Sequence, residues 1–355
     1  MRVILLVTVG LLLMFAGFAY LSLQAVEEST QRTLQERMLI AQLSANRVDD
    51  LVKEKILVLQ ASINDGVIDP VTNDPRSMHE ALQTLGRHLG DLVNYVALLN
   101  DQGTVIWTEP YMSNLVGHDL STNRFVSQAL TARQPVVSGY FAPSNVDASA
   151  ALLVPISKQN VSHDGVLLAA VNLKHPSISQ LLGPFGIGKK GYAEIVDEDG
   201  FPLVSTWEEK SWVNCRYGNR FYELIRDKGN TVGRCHDCHT TSADSRRQNG
   251  VMAFAALSTA PWGVVVQQDE DEAFAYGRDL QQKLVLFGGS AFLITLVVAW
   301  LLTRSVVIPI RTLTAASQQI AEGDLTHPIP CVQGRKYCKT RLRTFVNIGN
   351  RSSKQ

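Results

Sequence analysis

An excess of charge of either sign is the first thing this sequence lacks. Across 355 residues, 33 lysines and arginines stand against 33 aspartates and glutamates. No basic field is left over to hold phosphates, so nucleic acid is not expected as a partner. Cysteine is scarce too: five in all, three between residues 215 and 238 and two in the C-terminal tail. No serine, cysteine or carboxylate constellation of a catalytic centre is visible, so no enzyme activity is expected.

The most telling lack is local. Val3 to Leu23 carries no charge over 21 residues, and Leu284 to Leu302 none over 19. At helical rise either stretch crosses a hydrocarbon core about 30 Å thick. The first is too long for a signal-peptide core and no small-x-small cleavage site follows it. The second is bounded by Lys283 and Arg304 and is longer than an ordinary core helix. Transmembrane helices are therefore expected at 3–23 and 284–302. After the second, Arg304, Arg311, Arg335, Lys336, Lys339, Arg341, Arg343, Arg351 and Lys354 face only Glu322 and Asp324, and the N-terminus carries Arg2. This asymmetry predicts that both termini are cytoplasmic. Residues 25–282 then lie outside the inner membrane, where disulfides form and haem is attached covalently.

Beyond the first span, Leu34, Met38, Leu43, Val48, Leu51, Val52, Ile56 and Leu59 recur at three-, four- and five-residue steps, which predicts a long amphipathic helix, a candidate stalk and homodimer element. An internal repeat follows. Tyr95-Val96-Ala97-Leu98-Leu99-Asn100-Asp101-Gln102-Gly103 resembles Tyr192-Ala193-Glu194-Ile195-Val196-Asp197-Glu198-Asp199-Gly200, 97 residues on, and each reads as strand, turn and return strand. Ile156-Ser157 with Gly165-Val166-Leu167-Leu168 resembles Leu257-Ser258 with Gly263-Val264-Val265-Val266 at nearly the same offset. Two strand-rich lobes in tandem are expected.

The segments Val116 to Phe125, Val137-Ser138-Gly139-Tyr140-Phe141, Val154-Pro155-Ile156 and Thr259 to Val266 together resemble the double-Cache family of extracytoplasmic sensors. The resemblance covers most of residues 30 to 280. It implies an α+β fold: two tandem PAS-like antiparallel-sheet lobes on a long N-terminal helix, between the two transmembrane helices. The sensor would span 25–282, with a membrane-distal lobe at about 90–180 and a proximal lobe at about 185–270. Small ligands would bind in the distal lobe.

By that resemblance Arg124 occupies the place of an arginine whose planar fork clamps a carboxylate, and Trp107, Tyr140 and Asn172 would line the same cavity. The other use of an exposed arginine is a surface ion pair. The amino-acid-binding members carry Trp and Tyr shortly after the arginine and an Asp on a later strand. Val126, Ser127 and Asn172 stand there instead, so the counter-charge for an amine is missing. A simple carboxylate, or no distal ligand, is expected.

Cys235-His236-Asp237-Cys238-His239 is the most specific chemical motif. Two thiols separated by two residues can form thioethers to haem, with His239 as iron ligand. The segment resembles haem-containing periplasmic sensors and is expected to be an insertion at about 208–250. Three other uses remain open: a Cys235–Cys238 disulfide, a zinc site of Cys215, Cys235, Cys238 and His239, or a redox switch.

After the second span, Pro309, then Glu322-Gly323-Asp324-Leu325, resemble the first helix and connector of a HAMP relay domain, at 304–330. Proline is tolerated in a first helical turn, and Gly323 suits a helix end. The tail 331–355 lacks a heptad pattern and is expected to be foreign to that family, as truncation or frameshift would leave it. The expected function is a homodimeric membrane receptor that senses a small carboxylate-like ligand, or a haem-borne redox or gas signal, and relays it through HAMP. The rivals are a membrane-anchored c-type cytochrome and a zinc-stabilised ligand-binding Cache module.

Overall fold

The computed structural model describes residues 2–66, 68, 74–131, 134–143, 150–156, 165–183, 187–189, 191–207, 221–236 and 249–322. The chain divides into two compact units, residues 25–279 and the paired segments 1–24 and 280–355.

In the larger unit the alternation of apolar residues produces two antiparallel sheets of five strands each. The first lobe contains β1 (Val93–Asn100), β2 (Val105–Glu109), β3 (Val136–Val137), β4 (Ala150–Ile156) and β5 (Gly165–Val171), in the order β2-β1-β5-β4-β3. The second contains β6 (Tyr192–Asp197), β7 (Pro202–Ser205), β8 (Asn230–His236), β9 (Asn249–Ala256) and β10 (Trp262–Asp269), in the order β7-β6-β10-β9-β8. The two orders are the same. Leu98 pairs with Leu167 and with Trp107; Ile195, 97 residues on, pairs with Val264 and Val204, each also 97 residues on. Even the irregularity in the first hairpin, between Leu98 and Leu99, recurs between Ile195 and Val196. The repeat read in the sequence is thus a repeat of register.

Both sheets bury their inner faces on one helix. The helix α1 (Arg2–Asn64) is unbroken over 63 residues. Its buried stripe is Ala41, Ala45, Val48, Val52, Ile56 and Leu59, in one apolar cluster with Val96, Leu98, Leu152 and Leu167 of the first lobe and Ala193, Ile195, Val264 and Val266 of the second. The helix α2 (Pro75–Leu89) adds Met78, Leu82 and Leu85 to the same cluster. The expected stripe is one step off at Leu43, which is exposed, while small Ala41 and Ala45 take the contact positions. Successive strand residues face opposite sides, so Tyr95, Ala97 and Leu99 look outward. There the helix α3 (Arg124–Thr131) covers them with Phe125, Val126 and Ala129. The helix α4 (Pro176–Leu182) leads from the first lobe to the second.

Part of the span expected to be an insertion belongs to the lobe itself. The helix α5 (Tyr222–Arg226) packs Ile225 into the outer core, and β8 is the edge strand of the second sheet, paired with β9. After β10 come α6 (Glu270–Ala273) and α7 (Ala275–Leu302), then a π-helical stretch, Thr303–Val307, and α8 (Ile308–Ala321). Two helical segments, within Val9–Asn64 and Ala275–Ala315, are long and apolar enough to cross a membrane; the second contains the stretch 284–302, and the first contains the stretch 3–23 from residue 9 onward. In the smaller unit they touch edge-on through Phe15 and Phe292, whose ring centroids lie 5.0 Å apart.

The loop that follows β9 is pinned to α1 by Asp49. Its carboxylate accepts from the Ser258 hydroxyl and, at 2.8 Å, from the Thr259 N–H, and pairs with Lys53 Nζ at 2.9 Å. Burial pushes this carboxyl up, but the donors from Ser258, Lys53 and Thr259 outweigh it and hold it below the usual 3.8. Replacing Asp49 by Ala leaves the loop donors without their acceptor and should cost about 1–3 kcal/mol. Chemical denaturation of the full chain in detergent measures it. The wild-type contribution should be present above the ordinary carboxylate range and disappear as the pH falls below it.

Candidate functional site

Two regions of the larger unit bring functional chemistry together: the junction between the lobes and the outer face of the first sheet. The junction is built on the β6–β7 turn. Asp197 Oδ1 accepts from the N–H groups of Asp199 at 3.1 Å and Phe201 at 2.8 Å, closing an Asx turn in which Gly200 takes φ 71°. Asn100 makes the same turn in the first lobe, accepting from Gln102 and Thr104 at 3.1 and 2.8 Å. The difference is the second oxygen. Asp197 Oδ2 accepts from the Tyr140 N–H of the first lobe at 3.0 Å. A Cβ on Gly139 would stand 2.7 Å from that oxygen, so only glycine permits this approach. The Tyr140 ring leans on Phe201, centroids 4.5 Å apart, and Trp262 Nε1–H donates to the buried Ser138 carbonyl at 2.8 Å. Two motifs far apart in the sequence, Ser138-Gly139-Tyr140 and Pro261-Trp262, therefore meet here.

Arg124 closes the junction from the α3 side. Its guanidinium pairs with Glu198 and with Asp199, both at 2.8 Å. Asp197 is only 1% exposed. Burial pushes its carboxyl up despite the three backbone donors, and the Asp199 charge adds to the rise. Burial also pushes Glu198 up, against the pull of Arg124.

The outer face of the first sheet carries a second apolar cluster, and one buried polar group stands within it. Tyr95 is 3% exposed, and its hydroxyl is buried with no hydrogen-bond partner among the described residues. Around it on the same face lie Ala97, Ala151 and Ala170, the last opposite Tyr95 in register. Burial pushes the phenol well above its ordinary value. Its counterpart Tyr192, 97 residues on, has a partner in Gln267. A separate apolar cavity of about 20 Å³ lies between α1 and the two lobes, against Val48, Val52, Leu152, Val171, Ile195 and Trp262.

The four residues expected around one ligand are not brought together. Trp107 pairs with Leu98 and packs on the inner, α1 side of the sheet, opposite the face that α3 covers. Arg124 is half-exposed and held in the junction ion pairs. Tyr140 is in the junction as well. Asn172 Oδ1 accepts from the Lys174 N–H at 3.0 Å in the turn before α4. Tyr95 and Asp197 were visible in the sequence only as members of the repeat.

Of the cysteine motif, Cys235 and His236 end β8, with Cys235 opposite Gly250 and Gly233 opposite Met252. Cys215, Cys238 and His239 lie outside the described residues, as do Gly323, Asp324 and the tail 331–355. Pro309 stands in the first turn of α8, and Glu322 follows its end with its N–H bonded to the Gln318 carbonyl at 3.0 Å.

The Cache domain family model matches residues 22–276, and the HAMP domain model matches residues 301–335. The methyl-accepting chemotaxis protein McpA of Bacillus subtilis (strain 168) is 25% identical over 187 residues, 53% of this chain and 26% of that protein. The chain thus spans about a quarter of the length of this curated relative. The extracellular domain of the candidate histidine kinase rpHK1S-Z16 superposes with a TM-score of 0.50 at 15% identity, over 70% of this chain and 95% of that one. The ligand-binding domain of the Pseudomonas aeruginosa PAO1 amino acid chemoreceptor PctB, in complex with L-Arg, gives 0.49 at 17% identity, over 70% and 98%.

Replacing Gly139 by Ala should force the Ser138–Tyr140 loop away from Asp197. Limited proteolysis of the full chain should then cut the 138–143 and 197–201 turns several-fold faster than in wild type, at the sort of local opening cost, about 1 kcal/mol or more, that such a clash imposes.

Proposed function

The chain belongs to the Cache domain family, whose model covers well over half of it, and from that premise we propose that it is a membrane receptor binding a small extracytoplasmic molecule in its first lobe. The sensor lies between the two apolar helices with both termini in the cytoplasm, and the HAMP segment passes the signal on. The ligand is a small molecule with an apolar body and a hydrogen-bond acceptor for the Tyr95 hydroxyl, such as a short carboxylic acid bound in its neutral form, because a buried carboxylate needs a cation beside it. The observation that carries this reading is the Tyr95 hydroxyl, buried without a partner among the described residues, in an apolar cluster where its neighbours on the sheet face include Ala97, Ala151 and Ala170. Leaving such a group unmade costs free energy that a ligand acceptor returns. The charged pair that would hold an amino acid is lacking there among the described residues: Arg124 is engaged in the junction, and Asn172 serves a turn. The exposed Leu39, Leu43 and Leu57 on α1 support a homodimer through that helix.

The test is thermal-shift titration of the full chain in detergent against short carboxylates, with Tyr95→Phe alongside. The variant should melt higher than wild type without ligand, having lost an unpaired buried hydroxyl, and should bind about tenfold more weakly. A variant with wild-type affinity overturns the outer face of the first sheet as the binding site.

A second reading is favoured by one register. Cys235 sits opposite Gly250, and two residues back on the same face Gly233, which has open space where a Cβ would stand, lies opposite Met252. A haem attached through Cys235 and Cys238, with His239 on the iron, would lie beside the two glycines of this sheet edge. Haem there would supply a redox-active, gas-binding centre to the same receptor. Protein matured in a periplasm competent for cytochrome c assembly should show a covalent pyridine haemochrome that is lost in Cys235→Ala/Cys238→Ala. Colourless protein carrying one zinc per chain would put the metal on Cys215, Cys235, Cys238 and His239 instead.

A further inference from the structure

We propose that the junction between the lobes is a proton-responsive latch, which closes more tightly as the extracytoplasmic medium becomes acidic. Three carboxylates, Asp197, Glu198 and Asp199, sit in one turn of the second lobe, and the described charge facing them is the single cation Arg124 of the first lobe. The remaining contacts from the first lobe are uncharged: the Tyr140 N–H and ring, and the Ser138 carbonyl that receives Trp262. At neutral pH the closed junction therefore holds two more negative charges than positive ones, one of them fully buried.

The duplication shows that the turn itself does not need this charge. Asn100 closes the equivalent turn with a neutral amide. What the carboxylate adds is Oδ2, the oxygen that reaches across to the other lobe, and an ionisable proton site at the point of contact. Oδ2 accepts one N–H and has a lone pair left, so it can carry a proton and keep the Tyr140 bond.

The sign follows from burial. Asp197 and Glu198 both bind their protons more tightly in the closed junction than an exposed carboxylate would. Acidification through the range above their ordinary values, 3.8 and 4.5, therefore shifts the population towards closure, and alkalinity away from it. Protonated Glu198 gives up its pairing with Arg124, which keeps Asp199. Because Trp262 and the Asp49-bound loop Ser258–Thr259 belong to one short segment, the latch is tied to α1.

The test is hydrogen–deuterium exchange of the full chain in nanodiscs at about pH 5 and about pH 7.5, corrected for intrinsic exchange, read in peptides covering 137–143 and 194–203. Protection there should be about threefold or more higher at the acidic pH. Arg124→Gln should lose protection at the higher pH and regain it at the lower. Asp197→Asn keeps its turn, as Asn100 does, but sets an amide N–H against that of Tyr140, so protection should be low at both. Glu198→Gln, a milder change, should flatten the pH response, and unchanged protection of β5 and β10 identifies variants that are folded. Wild-type protection that does not change with pH, or an Asp197→Asn variant that retains the wild-type response, overturns the proposal.

Discussion

The constraint on which the rest of the larger unit depends is that two sheets share one long helix as a partner for their inner faces, with α2 completing the cover of the first. Neither sheet is closed on itself, and each needs a partner for an apolar face of Val, Leu, Ile and Ala side chains. The small residues Ala41 and Ala45 and the larger Val48, Val52, Ile56 and Leu59 form the helix's buried stripe in this core. One core thus serves both lobes. Asp49 sits inside this arrangement and fastens the loop before β10 to the helix, so the polar contacts reinforce the apolar ones.

That shared core also explains where polar chemistry can survive. The inner faces are committed to packing, so functional groups appear on the outer faces and where the lobes meet. The first lobe's outer face is apolar, with alanines at 97 and 170, whereas the second lobe has Glu194 and Gln267 at the equivalent positions. The same scaffold therefore offers two different environments around its paired tyrosines. In the first the hydroxyl lacks a partner, and in the second it has one.

Much of the fold was legible because strand register and turn chemistry are local. The 97-residue offset, the Asx turns at Asn100 and Asp197 and the two apolar spans all follow from neighbours in sequence. The edge strand β8 was not legible: Asn230-Thr231-Val232-Gly233-Arg234 has little apolar alternation and is held by its pairing with β9. Leu43 misled because its hydrophobicity outweighs that of the alanines that make the contact. The site was the least visible part. Arg124 finds Asp199 75 residues away, and an unpartnered hydroxyl such as that of Tyr95 can be recognised only once its surroundings are known. Resemblance placed Trp107 beside Arg124, but strand alternation turned it to the other face.

The small apolar cavity beside Trp262 gives the shared core a mechanical property. Its walls are almost wholly apolar atoms, which offer water scarcely any hydrogen bonds. Any rearrangement of α1 against the lobes that fills it reduces the volume of the molecule. The region where helix and both sheets meet is consequently compressible in a way that the tightly interleaved strands are not, and hydrostatic pressure acts on its conformational balance directly.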